Sequence, residues 1–117
     1  MLKQTVTIKS NCDFRRVYGK GKSFQGPALG SYVLKNRAGI CRIGITTSKK
    51  TGNAVERNRS RRVIRAAYSM IEDKISGNYD FVFVSRSKTK YVKSTQLAMV
   101  MLSQLKQAGV INEETDN

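Results

Sequence analysis

The sequence contains no histidine and no tryptophan, only one proline (Pro27) and only two cysteines, Cys12 and Cys41. Without histidine, the usual general base at neutral pH is missing, which argues against acid–base catalysis by the protein itself. Two isolated thiols form neither a CxxC pair nor a Cys/His cluster, so a structural zinc site is not expected. In a reducing compartment they read as free, half-buried small side chains. No stretch of eighteen apolar residues occurs, and Met1–Ser10 lacks a signal-like apolar run, so the expected location is the cytoplasm, with no membrane partner. Acidic residues are scarce where it matters. Positions 1–71 hold sixteen Lys/Arg against only Asp13 and Glu56, whereas 72–117 hold six of each sign.

The net charge of +14 over 117 residues therefore sits wholly in the first part of the chain. An evenly solubilising surface intersperses the two signs, whereas a one-sided field is the footprint of a polyanion binder. No helix pairs a basic face with a Trp/Phe/Leu face, which favours nucleic acid over an anionic membrane. The ordinary apolar share, 39%, fits a folded chain of one-domain length, residues 1–117, with an acidic, disordered tail at 112–117.

Ser10 or Asn11 is placed to cap a short helix with Asp13 in its first turn. Phe14, Val17 and Tyr18 share one face of that helix, and Gly19 and Gly21 end it. Strands are expected at Ala28–Lys35 and Cys41–Thr47, joined as an antiparallel hairpin through Asn36-Arg37-Ala38-Gly39, with 22–25 as a further short strand. Thr51-Gly52-Asn53 ends the second strand, and Asn53 caps a helix running to about Ile75. Asp80–Val84 is a continuous apolar strand of the kind buried on both faces. Ser94 is read as the cap of a last helix with Leu97, Met101, Leu105 and Ala108 on one face and Gly109 as its stop. The order α-β-β-α-β-α reads as a two-layer α/β sandwich on one sheet.

On the helix from Asn53, Ile64, Ala67, Tyr68, Ile71 and Ile75 gather within about 100° of arc, the width of a core-facing stripe. Asn58, Arg59, Arg61, Arg62 and Arg65 take the other side, and Arg57 lies near the seam. Five arginines in nine residues repel one another at i, i+4, and only Glu56 is near enough in sequence to offset them. Arginine's planar fork suits bidentate phosphate contact and base stacking, so the pattern exceeds an ordinary solvated face. The loop Ser48-Lys49-Lys50-Thr51-Gly52-Asn53 extends the anion-binding surface, without the spacing of a nucleotide-binding P-loop.

The run Arg42-Ile-Gly-Ile-Thr-Thr-Ser-Lys-Lys-Thr-Gly-Asn-Ala-Val-Glu-Arg-Asn-Arg-Ser-Arg-Arg-Val-Ile-Arg65 resembles the signature of the bacterial ribonuclease P protein subunit family, whose RNR box stands here as Arg57-Asn58-Arg59. Asn11–Tyr18, followed by Gly21-Lys-Ser, is similar to that family's first helix and turn. The likeness covers about residues 8–86, and departs from the family's habit at Ala28–Ser31, Pro27 and a short N-terminal extension.

The resemblance implies an α+β fold of order α-β-β-β-α-β-α, with a central mixed sheet and a left-handed β-α-β crossover (ribosomal protein S5 domain 2-like). It further implies a subunit that binds a catalytic RNA and the 5′ leader of precursor tRNA. That RNA performs the magnesium-dependent cleavage, so the chain has no catalytic residues of its own. It is one component of an endoribonuclease with Mg2+ held mainly by RNA, and no obligate protein partner is implied. Arg57, Asn58, Arg59, Arg61, Arg62 and Arg65 would lie against the catalytic RNA. Lys49, Lys50 and Asn53 would meet the leader's first nucleotides, and Phe14, Tyr18 and Tyr32 its stacked bases. From the residues alone, Phe14 and Tyr18 fit plain core equally well. Ala28, Gly30, Tyr32 and Leu34 on one strand face suggest a shallow trough. The alternatives are a ribosomal or other structural RNA-binding protein and, last, a stand-alone nuclease, for which the scattered acids form no obvious pair.

Overall fold

The computed structural model describes residues 5–111, so the 112–117 tail lies outside the described residues. The elements are β1 (Thr5–Thr7), α1 (Asn11–Lys20), β2 (Lys22–Gln25), β3 (Leu29–Lys35), β4 (Cys41–Thr46), α2 (Ala54–Ile71), β5 (Tyr79–Ser85) and α3 (Ser94–Gln107). They form an α+β fold on one mixed sheet of order β1-β4-β5-β3-β2. β1 is an addition to the expected order; its three residues alternate too briefly to stand out in the sequence.

The expected β3–β4 hairpin is not formed. β5 lies between the two strands, antiparallel to β3 (Tyr32 opposite Val82) and parallel to β4 (Gly44 opposite Val82). Phe81, Val82 and Phe83 are fully buried, so this strand needs cover on both faces and both edges, and it takes the central slot. The turn at Asn36 spans its end instead of closing a hairpin. The Asn36 N–H donates to the Asn78 carbonyl (3.1 Å), and Asn36 Nδ2 donates to Asp80 Oδ1 (2.7 Å).

Alternation assigns the two sheet faces. Leu29, Val33, Ile43, Phe81 and Phe83 join Ile64, Ala67, Tyr68 and Ile71 of α2 and Leu97, Met101 and Leu105 of α3 in the main core. Val63 and Ser60 are buried on α2 as well, which widens the expected stripe, while Ile75 is only half-buried. A buried polar link ties α3 to β3: Ser31 Oγ donates to Gln104, whose Nε2 donates to the Leu29 carbonyl (3.0 Å). At the far end of α2, Thr5 Oγ1 donates to Glu72 (2.6 Å) and lies 2.9 Å from the Tyr68 hydroxyl, a phenol whose pKa burial pushes up.

Among the described residues, the opposite face carries only α1. The Ser10 side chain accepts from the Cys12 N–H, which makes Ser10 the cap. Val17 is fully buried against Ile8 and Val82. Cys12 is exposed and Cys41 buried, so neither thiol is half-buried as expected, although both are free. The cap of α3 is Lys93 rather than Ser94, with Gln96 Oε1 accepting from the Lys93 N–H (3.2 Å).

Beneath α1, Asp80 is wholly buried and accepts from Arg42 Nε (2.8 Å) and Nη2 (2.7 Å), from Arg16 Nη2 (2.8 Å) and from Asn36. Asp13 meets the same two arginines at 3.3 and 3.4 Å. The acids read as scattered thus include two that converge, but with cations between them. Burial pushes the Asp80 pKa up; Arg42, Asn36 and Arg16 outweigh that and hold it below the ordinary carboxylate range.

Gly44 lets α1 approach the sheet. A Cβ there would lie 2.5 Å from Phe14 Cε1, inside contact distance. Gly44→Ala is expected to lower stability by about 1 kcal/mol through overpacking. The same change in a Phe14→Ala background should cost far less, because the clashing ring is gone; urea unfolding of the four-member cycle checks this.

Candidate nucleic-acid interface

α2 begins with a reciprocal cap. Asn53 Oδ1 accepts from the Glu56 N–H (2.9 Å), and Glu56 Oε1 accepts from the Asn53 N–H (3.0 Å). Glu56 also pairs with Lys90 Nζ at 3.0 Å, and the Asn53 amide followed by Lys90 holds its carboxyl below the usual range. The one acid near the arginines is therefore committed to the helix start and to Lys90. Among the described residues, none of Arg57, Arg59, Arg61, Arg62 and Arg65 forms an ion pair.

Arg59, Arg61, Arg62, Arg65 and Asn58 are exposed, and Arg57 is half-buried at the seam. Asn58 Oδ1 accepts from Arg61 Nη1 (3.3 Å), and Val55, Asn58, Arg61, Arg62 and Arg65 line one shallow groove of about 480 Å3. The other side of α2 is fixed in the core, so the guanidinium groups form one ridge on a rigid support. Arg59 Nε donates to the Lys90 carbonyl (2.9 Å), which orients the guanidinium and ties the ridge to the 3-10 turn Thr89–Tyr91.

The second surface is the part of the sheet that α1 leaves open. Tyr18 and Tyr32 meet edge to face, with ring centroids 4.9 Å apart and planes at 88°. The Tyr18 hydroxyl lies 2.6 Å from Thr46 Oγ1, which sets the ring over the end of β4. Phe14 lies on Gly44 in the same half-buried cluster as Tyr32, Leu34 and Val84. The structure thus brings Phe14, Tyr18 and Tyr32 together on one face. Tyr18 is 37% exposed, so it is not plain core.

Lys50 and Asn53 are exposed where β4 leads into α2. The Lys49 side chain lies outside the described parts of the structure.

The trough expected from Ala28, Gly30, Tyr32 and Leu34 is corrected in two respects. Ala28 precedes β3 and packs in the main core. The space over Gly30 is filled, since a Cβ there would lie 2.8 Å from Arg86 Nη2 and 2.7 Å from Gln25 Oε1. Arg86 donates to Gln25 across that spot and places a cation at the edge of the aromatic face. Sequence reasoning passed over Arg86; its position directly after an apolar strand was the available signal. Tyr91 is 76% exposed, with Lys90 Nζ 5.2 Å from its ring centroid, and no helical or strand period marks it in the sequence.

The described residues contain no group of three or more His, Cys, Asp or Glu side chains able to hold a metal ion. Asp80, the most buried acid among the described residues, is surrounded by cationic donors. No helix of the described residues is long and apolar enough to cross a membrane.

Comparison with known proteins agrees with this architecture. The family model described as Ribonuclease P matches residues 2–109. The ribonuclease P protein component of Clostridioides difficile is 47% identical over 88 residues, covering 74% of this chain and 77% of the relative. That of Clostridium novyi is 39% identical over 113 residues, covering 95% and 100%. The solved Staphylococcus aureus RNase P protein superposes with a TM-score of 0.78 at 34% identity, covering 91% and 97%. The Thermotoga maritima protein gives 0.76 at 26% identity, covering 86% and 96%. An arginine ridge, an open aromatic face and a match along nearly the whole chain lead to one assignment: this chain belongs to the ribonuclease P protein family.

Proposed function

We propose that the chain acts as the protein subunit of a ribonuclease P holoenzyme. In this reading Asn58, Arg59, Arg61, Arg62 and Arg65, with Arg57 at the seam, bind the catalytic RNA. Lys50, Asn53, Phe14, Tyr18 and Tyr32 receive the single-stranded 5′ leader of precursor tRNA, with Lys49 carried over from the family motif. The observation that carries the reading is the uncompensated guanidinium ridge, joined through the β4–α2 connection to an aromatic sheet face. A ridge of forks suits folded phosphate backbone, whereas partly exposed rings on a sheet suit unpaired bases.

The chain offers no histidine, and its described residues hold no group of carboxylates able to bind a metal ion, so we assign bond cleavage to the RNA. Mg2+ is the expected cofactor of the holoenzyme. The described residues do not fit a metal site, and we assign the ion to RNA phosphates. The protein's contribution is then to hold the leader and the RNA in one orientation, which raises substrate affinity and cleavage together. The cytoplasm is the compartment where such an assembly would work.

The test is cleavage of precursor tRNA by a cognate ribonuclease P RNA at low magnesium. Adding the protein should raise the efficiency well above RNA alone; no increase would refute the proposal. Cleavage by the protein without RNA would favour a stand-alone nuclease. For the leader face, Tyr32→Ala is expected to weaken binding of precursor tRNA to the holoenzyme by about 5–30-fold, the lower part of the range for losing one stacked base. Mature tRNA, which has no leader, should bind unchanged, as a direct comparison of the two dissociation constants will show.

A further inference from the structure

The ridge has a second wall. Between α2 and the chain leading into α3 lies a groove of about 520 Å3, within the range of about 300–1,000 Å3 typical of small-ligand sites. Its apolar lining is Val63 and Ala66 of α2 and Val92 opposite; Arg59, Arg62 and Lys93 supply the cations, and Ser94 and Thr95 open α3 on the far side. The groove is open to solvent, and its lining is more apolar than polar with cations along one side. A ligand with a flat apolar body and an anionic group matches both halves.

We propose that this groove receives a single unstacked nucleotide of the RNA that α2 binds, with its base on Val63, Ala66 and Val92 and its phosphate between Arg59 and Arg62. The inference rests on the functional reading above and names a subsite within it.

Three features support it. Arg59 is already oriented by its Nε bond to the Lys90 carbonyl, and among the described residues no hydrogen bond engages its terminal nitrogens, so a bidentate fork stands ready for a phosphate. The wall across from α2 is held in place. Thr89 Oγ1 donates to the Ala28 carbonyl (2.6 Å), and Lys90 Nζ donates to the Thr51 carbonyl (2.9 Å) while pairing with Glu56. Finally, Ser94 and Thr95 offer hydroxyls that both donate and accept, which suits the edge of an unpaired base. The first turn of α3 adds the positive end of its dipole on the same side.

Ala66→Phe tests the idea, since it fills the groove and removes no cation. Affinity for the RNA subunit should fall about tenfold, the scale of losing the burial of one base against aliphatic side chains, with the salt dependence unchanged. Thr95→Phe fills the groove from the exposed side and should give the same result if Ala66→Phe disturbs folding. Chemical probing of the RNA should show one nucleotide protected by wild-type protein and exposed again with either variant. Unchanged affinity and an unchanged footprint for both variants would overturn the proposal. So would an affinity loss accompanied by a shallower salt dependence, because that would mean a displaced ridge. Arg62→Ala separates the two levels: if it alters neither affinity nor salt dependence, it is the binding of RNA by α2 that fails.

Discussion

Replacing Asp80 with alanine is expected to lower the unfolding midpoint by about 10 °C, the largest stability effect of any single acidic side chain among the described residues. Removing one partner of a buried ion pair typically costs about 3–5 kcal/mol. Here Arg16 and Arg42 keep 42% and 22% of their side chains exposed and can rehydrate, which reduces the expected cost to about 2–3 kcal/mol. Asp80→Asn should cost less, because one oxygen still accepts from an arginine.

Acid provides an independent check. The Asp80 pKa is depressed in the fold, so its contribution is present above the unfolded value, about 3.9, and is lost as pH falls through the folded value. Wild type and Asp80→Asn should therefore differ in stability at neutral pH and converge in acid. Parallel profiles would show that the carboxylate is not held by its cations. Because this cluster joins α1 to β4 and β5, it also holds Phe14 and Tyr18 over the sheet, so the same variant should weaken leader binding.

The second large effect is expected for Arg59→Ala/Arg62→Ala. Charge-assisted hydrogen bonds contribute about 1.5–3 kcal/mol each, and imperfect additivity leaves about 100-fold lower affinity for the RNA subunit at moderate salt. Neither arginine has an ion pair within the described residues, and both are exposed, so thermal unfolding should move little. Arg62→Lys keeps the charge but not the planar fork and should recover only part of the loss. A double variant that binds RNA like wild type, at any salt, would remove α2 from the interface.

How much of this was legible in the sequence follows from the range of the interactions involved. The ridge was fully legible: helical period, cap and charge lie within twenty residues, and Arg57 falls at the seam as the wheel placed it. The reciprocal cap at Asn53 and the stop at Gly109, with φ of 79°, were equally local. Strand pairing was not. The turn residues at 36–39 signal a reversal but are silent about a strand forty residues later that inserts between its arms. Asp80 sat in an apolar run and gave no hint of its partners, because Arg16, Asn36 and Arg42 come from three other segments. The aromatic face was half legible. Helical spacing joined Phe14 to Tyr18, but only the fold shows Tyr32 against Tyr18 and Arg86 filling the space that Gly30 leaves.

The most direct test of the central claim is the association constant of the wild-type chain with a ribonuclease P RNA, followed from low to high salt. If the exposed arginines each displace a counterion from phosphate, log K should fall against log salt with a slope of about −3 to −4. A slope near zero would contradict the account, because it would leave the ridge without a phosphate to meet.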